Sequence, residues 1–336
     1  MNIYDISQLA GVSIATVSRV INGSDRVSEK TKQKVLRVIE ENGYTPNAFA
    51  RGLGLNTMHT VGLLCADSAD PYLAKAIYEL EQELRQNGYD SLLCCTGYAL
   101  ENKEKYLSLL LSKRVDGLIF VGSHFVEQDD VANRYIQKAA TEVPVMLLGG
   151  ALEGANLYTV QCDERAAMRD AVVRLLRSGR KNILYLYNSM SYSGRNKLQG
   201  YREGYALCDK SPSSALTLQL DAYQFDVVQV RELLSEKWAA GLRFDAVLAA
   251  DDRLAVGAAK FAKRQGLCIP EDLSIIGCNN SAIARYCDPE LTSIDNQLNV
   301  LCHQCVHSLM DVLHGKSCPK RTVFEAVLVQ RESTAL

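Results

Sequence analysis

The sequence predicts an α/β protein in two parts: a small all-α head, then a two-lobed body of doubly wound parallel sheets. Three observations predict it. The chain has 336 residues, too many for one small domain. Residues 3–22 place two helical stretches around one tight turn. After residue 58, short apolar runs alternate with amphipathic stretches, the pattern of parallel strands covered by helices on both faces.

The head comes first. Ile6, Leu9, Ala10, Val12, Val17, Val20 and Ile21 supply an inward face across both helices. Gly11 stands where a chain leaving a helix often needs positive φ. Ser13 can cap the second helix through its hydroxyl. The outward face then carries Ser13, Ile14, Ala15, Thr16, Ser18, Arg19 and Asn22, small or polar groups with one cation, suited to base edges and phosphates. A third helix follows Ser28 as N-cap, with Val35, Leu36, Val38 and Ile39 on its apolar side and Gly43 at its end. Next, Pro46 can open a short helix that Gly52 and Gly54 weaken, so a hinge is expected that orders only on a partner. Residues 1–58 hold seven Lys and Arg against five Asp and Glu, whereas the whole chain carries a formal charge of −2. A basic head on an acidic body fits a nucleic-acid module, and a charge this small implies two heads acting together.

In the body, strands are predicted at Thr60–Ala66, Ser91–Cys95, Gly117–Val121, Val145–Leu148, Asn182–Tyr187, Ala246–Ala249 and Leu273–Gly277. Helices are predicted at Tyr72–Asn87, Glu101–Lys113, Arg165–Ser178, Ser193–Leu207, Val227–Trp238, Arg253–Gln265 and Val300–His314. Two such units, near 60–160 and 161–290, place a cleft at the carboxyl ends of the strands. From about Leu291 the chain is expected to return to the first lobe.

Several strings give the chain a specific likeness. They are Asp5-Ile-Ser-Gln-Leu-Ala-Gly-Val-Ser13, Thr16-Val-Ser-Arg-Val-Ile-Asn22, Val27-Ser28, Tyr44-Thr-Pro-Asn47 and Ala50-Arg51-Gly52-Leu53. With these, residues 1–58 resemble the headpiece and hinge of the lactose-repressor/galactose-repressor family of bacterial transcription regulators. The likeness continues through Asp70-Pro-Tyr72, Arg114-Val-Asp-Gly-Leu118, Leu198-Gln-Gly-Tyr201, Asp252-Arg-Leu-Ala-Val-Gly257, Ile269–Gly277, Pro289–Ile294 and Arg331-Glu-Ser333. It therefore covers nearly the whole chain. It implies a headpiece at 1–45, a hinge at 46–58 and an effector-binding, dimerising body at 59–336. The body would be periplasmic-binding-protein-like, with lobes near 60–160 plus 291–320 and 161–290 plus 321–336.

The resemblance also implies roles. Ile14 and Ala15 fall where the family varies its chief base-reading pair, and here they can touch a thymine methyl but make no bidentate hydrogen bond. Arg19 matches the guanine-reading arginine. Tyr4, Ser13, Thr16, Ser18, Asn22, Asn47 and Ala50 match the DNA-contacting segments, and Leu53 matches a wedge into the minor groove. Effector contacts would come from Asp70, Tyr72, Leu73, Ser123, Asp163, Arg195, Lys197, Asp251, Asp252 and Asn279. Lys197 replaces a common arginine, Asn279 a common Asp, and Gly149-Gly150 a common Asp-containing pair. A pocket that keeps cations and loses carboxylates suggests an effector with an anionic group, a sugar acid or sugar phosphate.

Other chemistry finds little support. Eleven cysteines behind a start that lacks an apolar signal segment read as reduced thiols of a cytoplasmic protein. Cys302 and Cys305 are one helical turn apart but lack two further ligands, so no metal is expected. No phosphate-binding glycine loop is present, and Gly149–Gly154 lacks the second glycine of a dinucleotide fingerprint. An enzyme and a cofactor are therefore not expected, nor a membrane span. The expected partners are double-stranded operator DNA, a carbohydrate-type effector and a second copy of the chain. A dimer is expected rather than a tetramer, because only three residues follow Ser333.

Overall fold

The computed structural model describes residues 1–44, 57–208, 216–220 and 225–336. The head is three helices, α1 (Ile3–Ala10), α2 (Ile14–Ile21) and α3 (Glu29–Glu41). Asn2 and Asp5 form a reciprocal capping box that starts α1. Gly11 ends it at φ 59°, and Ser13 caps α2 by accepting from the Thr16 amide. Ile6, Ala10, Val17, Val20 and Val35 are buried, with Val12 and Ile21 packed against them. Leu9 departs from the expected inward face and is exposed, as is Leu36 on α3. Three short helices bury only a narrow stripe each, so residues at its margins stay in solvent.

The body contains two six-stranded sheets. The first holds β1 (Thr60–Cys65), β2 (Asp90–Cys95), β3 (Gly117–Val121), β4 (Val145–Leu148), β5 (Leu157–Cys162) and β11 (Arg321–Phe324), in the order β11-β5-β4-β3-β1-β2. The second holds β6 (Ile183–Tyr187), β7 (Thr217–Gln219), β8 (Ala246–Ala249), β9 (Ser274–Cys278), β10 (Thr292–Asp295) and β12 (Val327–Val329), in the order β12-β10-β9-β8-β6-β7. Every pairing is parallel except β10 with β12. The central strands β3, β4, β8 and β9 are buried along their whole length, as sheets covered on both faces require.

The covering helices are α4 (Pro71–Gln86), α5 (Leu100–Ser112), α6 (Arg134–Ala139), α7 (Glu164–Arg177), α8 (Tyr192–Ala206), α9 (Val227–Ala239), α10 (Asp252–Gln265), α11 (Ala282–Tyr286) and α12 (Leu298–Leu313). Helices α7 and α8 approach so closely that a Cβ on Gly200 would lie 2.1 Å from the Arg165 carbonyl oxygen, so only glycine fits there.

The chain changes lobe between β5 and α7, between β10 and α12, and between β11 and β12. This corrects two expected boundaries. The return near Leu291 comes later, because β10 is still a strand of the second sheet. Residues 321–324, expected in the second lobe, pair with β5 in the first. Strands β5, β7, β10, β11 and β12 also escaped the apolar-run reading. Thr159, Gln161, Thr292 and Ser293 are polar yet buried, so their strands show no hydropathy signal.

Candidate effector cleft and nucleic-acid face

On the head, Ser13, Ile14, Ala15 and Arg19 are exposed along one side of α2, with Thr16, Ser18 and Asn22 half-buried beside them. Tyr4 on α1 is exposed as well. The Ser13 and Thr16 hydroxyls lie 2.9 Å apart, and the Asn22 amide reaches Ser18 Oγ at 3.5 Å. These contacts hold the polar side chains in a row at the start and end of α2. Asn47, Ala50 and Leu53 lie outside the described residues.

The cleft lies between the two lobes, at the carboxyl ends of the strands. Its empty space is about 1010 Å³ including the open mouth. Among the described residues, side-chain hydrogen bonds cross it at two places. Asp70 caps α4 with Oδ1, accepting from the Tyr72 and Leu73 amides at 2.9 and 3.1 Å, while Oδ2 accepts from Arg253 Nη2 at 2.9 Å. Arg253 also reaches Asp251 Oδ2 at 3.3 Å and stacks its guanidinium 4.8 Å over the Phe225 ring. Second, Ser123 Oγ donates to Ser191 Oγ at 2.9 Å, and Ser191 caps α8 by accepting from the Gly194 amide.

At the floor, Lys197 is buried and donates to the Ala250 carbonyl at 3.1 Å, with Glu164 at 3.2 Å. Burial works against the Lys197 charge, but Cys278 and Glu164 together outweigh it, so the pKa lies well above the lysine norm. Burial pushes the Cys278 thiol up to about 12, so it is neutral at pH 7 and Glu164 is the effective counter-ion there. His124, edge-on to Tyr98 at 4.9 Å, is lowered to about 4 by burial first and by Lys103 second. It is a neutral imidazole at pH 7. Lys103 is itself buried and pairs with Glu127 at 2.6 Å and with the His124 carbonyl, which braces the loop carrying Ser123.

Residues 2–47 match the family described as bacterial regulatory proteins, lacI family, and residues 172–334 match the periplasmic binding protein-like domain. An HTH-type transcriptional regulator of Lachnoclostridium phytofermentans is 54% identical over 334 residues, 99% of each chain. The chain belongs to the LacI family. GalR of Escherichia coli is 30% identical over 335 residues, 99% of this chain and 95% of GalR. A solved CelR–cellobiose complex is 28% identical with a TM-score of 0.71, covering 99% of this chain and 100% of that one. A lac repressor dimer bound to operator and the anti-inducer ONPF shares the fold at a TM-score of 0.89 and 24% identity, covering 100% and 99%. The LacI-family chain is thus a transcriptional regulator, and its relatives are regulators rather than enzymes.

Of the effector residues implied by the resemblance, Asp70, Tyr72, Leu73, Ser123, Lys197, Asp251 and Asn279 line the cleft of this LacI-family regulator. Three do not. Asp163 is an exposed N-cap of α7, accepting from the Ala166 amide. Arg195 turns away to the Met190 carbonyl at 2.9 Å. Asp252 is 2% exposed and fully engaged inside the second lobe. Its Oδ2 accepts from the Ser281 amide and hydroxyl, both at 2.7 Å, and its Oδ1 accepts from Ser293 Oγ at 2.6 Å. Asp252 therefore ties the loop after β9 to β10. The resemblance reading missed Gln161, Glu164, Arg253 and Asn296, which stand on β5, at helix starts or after β10. Only Glu164 had a local signal, a charge directly after an N-capping Asp, whereas Arg253 stands two positions after the capping Asp251. The expected loss of carboxylates is also corrected, because Glu164 supplies one and both Lys197 and Arg253 are ion-paired.

Proposed function

We propose that this chain is a repressor that binds a palindromic operator as a homodimer and releases it under control of a small, neutral, hydroxyl-rich ligand in the interlobe cleft. The observation that carries the control is the pair of contacts that cross the cleft, Asp70–Arg253 and Ser123–Ser191. Both bridge separate lobes at the cleft lining, so a ligand seated there changes the lobe angle and with it the exit of the linker to the head. Couplings of this kind run to about 1–3 kcal/mol, or 5- to 150-fold in operator affinity.

A neutral ligand fits better than the anionic one expected from the sequence. Among the described residues, the cleft cations Lys197 and Arg253 already face Glu164, Asp70 and Asp251. An added anion would compete with those carboxylates. Relatives named a ribose operon repressor (31% identical, Haemophilus influenzae) and the CelR–cellobiose complex point the same way. The dimer reading rests on exposed apolar side chains on the body. Leu92 and Leu93 lie on the edge strand β2, with Tyr78 on the neighbouring α4, and Tyr286 is 82% exposed on α11. We place the protein in the bacterial cytoplasm, where operator DNA is.

The test is selection of genomic fragments by the purified protein, repeated with neutral sugars, sugar acids and sugar phosphates. Recovery of a palindrome that one neutral sugar releases supports the proposal. Enrichment of no palindrome, or release by acids or phosphates alone, defeats it.

A further inference from the structure

Buried polar groups in a folded chain are nearly always paired. Five buried side-chain polar atoms among the described residues are not, and two of them line the cleft. Gln161, 6% exposed on β5 of the first sheet, has no partner for Oε1. Asn296, 2% exposed just after β10 of the second sheet, has none for Oδ1. The orientation of the Asn296 amide follows from its other end, where Nδ2 donates to Asn279 Oδ1 at 3.3 Å. That bond leaves the carbonyl oxygen as the unmatched group.

We infer that Gln161 and Asn296 determine specificity in the cleft by accepting hydrogen bonds from two donor groups, such as hydroxyls, on one neutral ligand. The inference rests on the effector reading above and deepens it. Gln161 belongs to a strand of one lobe and Asn296 follows a strand of the other. A ligand that satisfies both therefore binds best when the lobes hold one particular angle. Carboxylates and phosphates offer only acceptors at neutral pH and would set oxygen against oxygen. A site built to pair a hydroxyl rejects analogues that lack it, because the buried partner is then left unmatched.

An unmatched buried acceptor also weakens the free protein. Gln161→Met keeps the shape and removes that acceptor; Asn296→Leu removes the acceptor of the other lobe together with the Nδ2 bond to Asn279. Melting of the full-length protein is followed alone and with cellobiose, D-glucose, D-ribose, 2-deoxy-D-ribose, gluconate or glucose 6-phosphate. Free Gln161→Met is expected to melt about 2–4 °C above wild type. The neutral sugar that most stabilises wild type is expected to lose about tenfold in affinity for either variant. Free variants that both melt below wild type would show structural amides and overturn the inference, even where no compound in the panel binds. A neutral sugar that binds wild type and both variants alike overturns it too, while leaving the effector reading intact. Stabilisation of wild type by gluconate or glucose 6-phosphate alone overturns both.

Discussion

Removing the Asp252 carboxylate separates a structural role from a ligand contact. In Asp252→Ala, Ser293 Oγ loses its acceptor at a fully buried position, and the Ser281 amide and hydroxyl lose theirs at a half-buried one. Hydrogen bonds to a charged group are worth roughly 1.5–3 kcal/mol each, and a buried orphaned donor costs about 1–3 kcal/mol. Water can reach Ser281, and removing a buried carboxylate recovers part of its desolvation. The net loss is therefore placed at about 3 kcal/mol, or roughly 6–12 °C in melting temperature for a domain of this size. The pKa of Asp252 is raised, by burial first and against the pull of the Ser293 and Ser281 hydrogen bonds. The native state thus binds the proton more tightly than the unfolded chain. The carboxyl's contribution is full below its unfolded pKa and falls as pH rises through the folded one. The gap between wild type and variant is expected to narrow from acid toward neutral pH. The assay is calorimetric melting across pH, with effector titration well below the variant's melting point. A variant that melts within about 1 °C of wild type but loses tenfold in effector affinity would refute the structural assignment.

Three further outcomes are expected, two from the geometry and one from the family resemblance. Arg253→Gln removes a charged bridge whose side chains are about one-quarter exposed. A loss of about 1–2 kcal/mol in closure lowers effector affinity roughly 5- to 30-fold; an unchanged salt dependence of binding would show that the bridge contributes nothing. His124 has a lowered pKa, so acid is expected to cost stability as pH falls from about 6.5 through about 4. His124→Gln should flatten that part of the profile, and a parallel profile would disprove the link. Leu53→Ala is expected to weaken operator binding at least tenfold in gel shift with effector affinity unchanged; equal operator affinity would remove the wedge role implied by the resemblance.

Much of the site was legible locally, where a side chain acts on its own neighbourhood. Ser13 and Ser28 are caps recognisable from the residues after them, and the structure shows each accepting from the first turn of its helix, whereas the capping role of Asp70 emerged only from the structure. The cleft's interior was less legible. Gln161 and Asn296 carry no motif, and their importance lies in what they fail to touch. Asp252 misled for the opposite reason: a polar residue at a strand end looks alike whether it faces a ligand or serines of its own lobe, here the half-buried Ser281 and the buried Ser293.

By itself, the sequence determined the helical head, its Ser13 and Ser28 caps and the run of alternating strands and helices, because these depend on interactions within a few residues. The tertiary structure alone decided which lobe takes β10 and β11, which polar residues are buried, and that Asp70 meets Arg253 from 183 positions away. Those outcomes depend on strand pairing and lobe contact. Nothing in the local pattern of charge or hydropathy encodes which distant group will arrive.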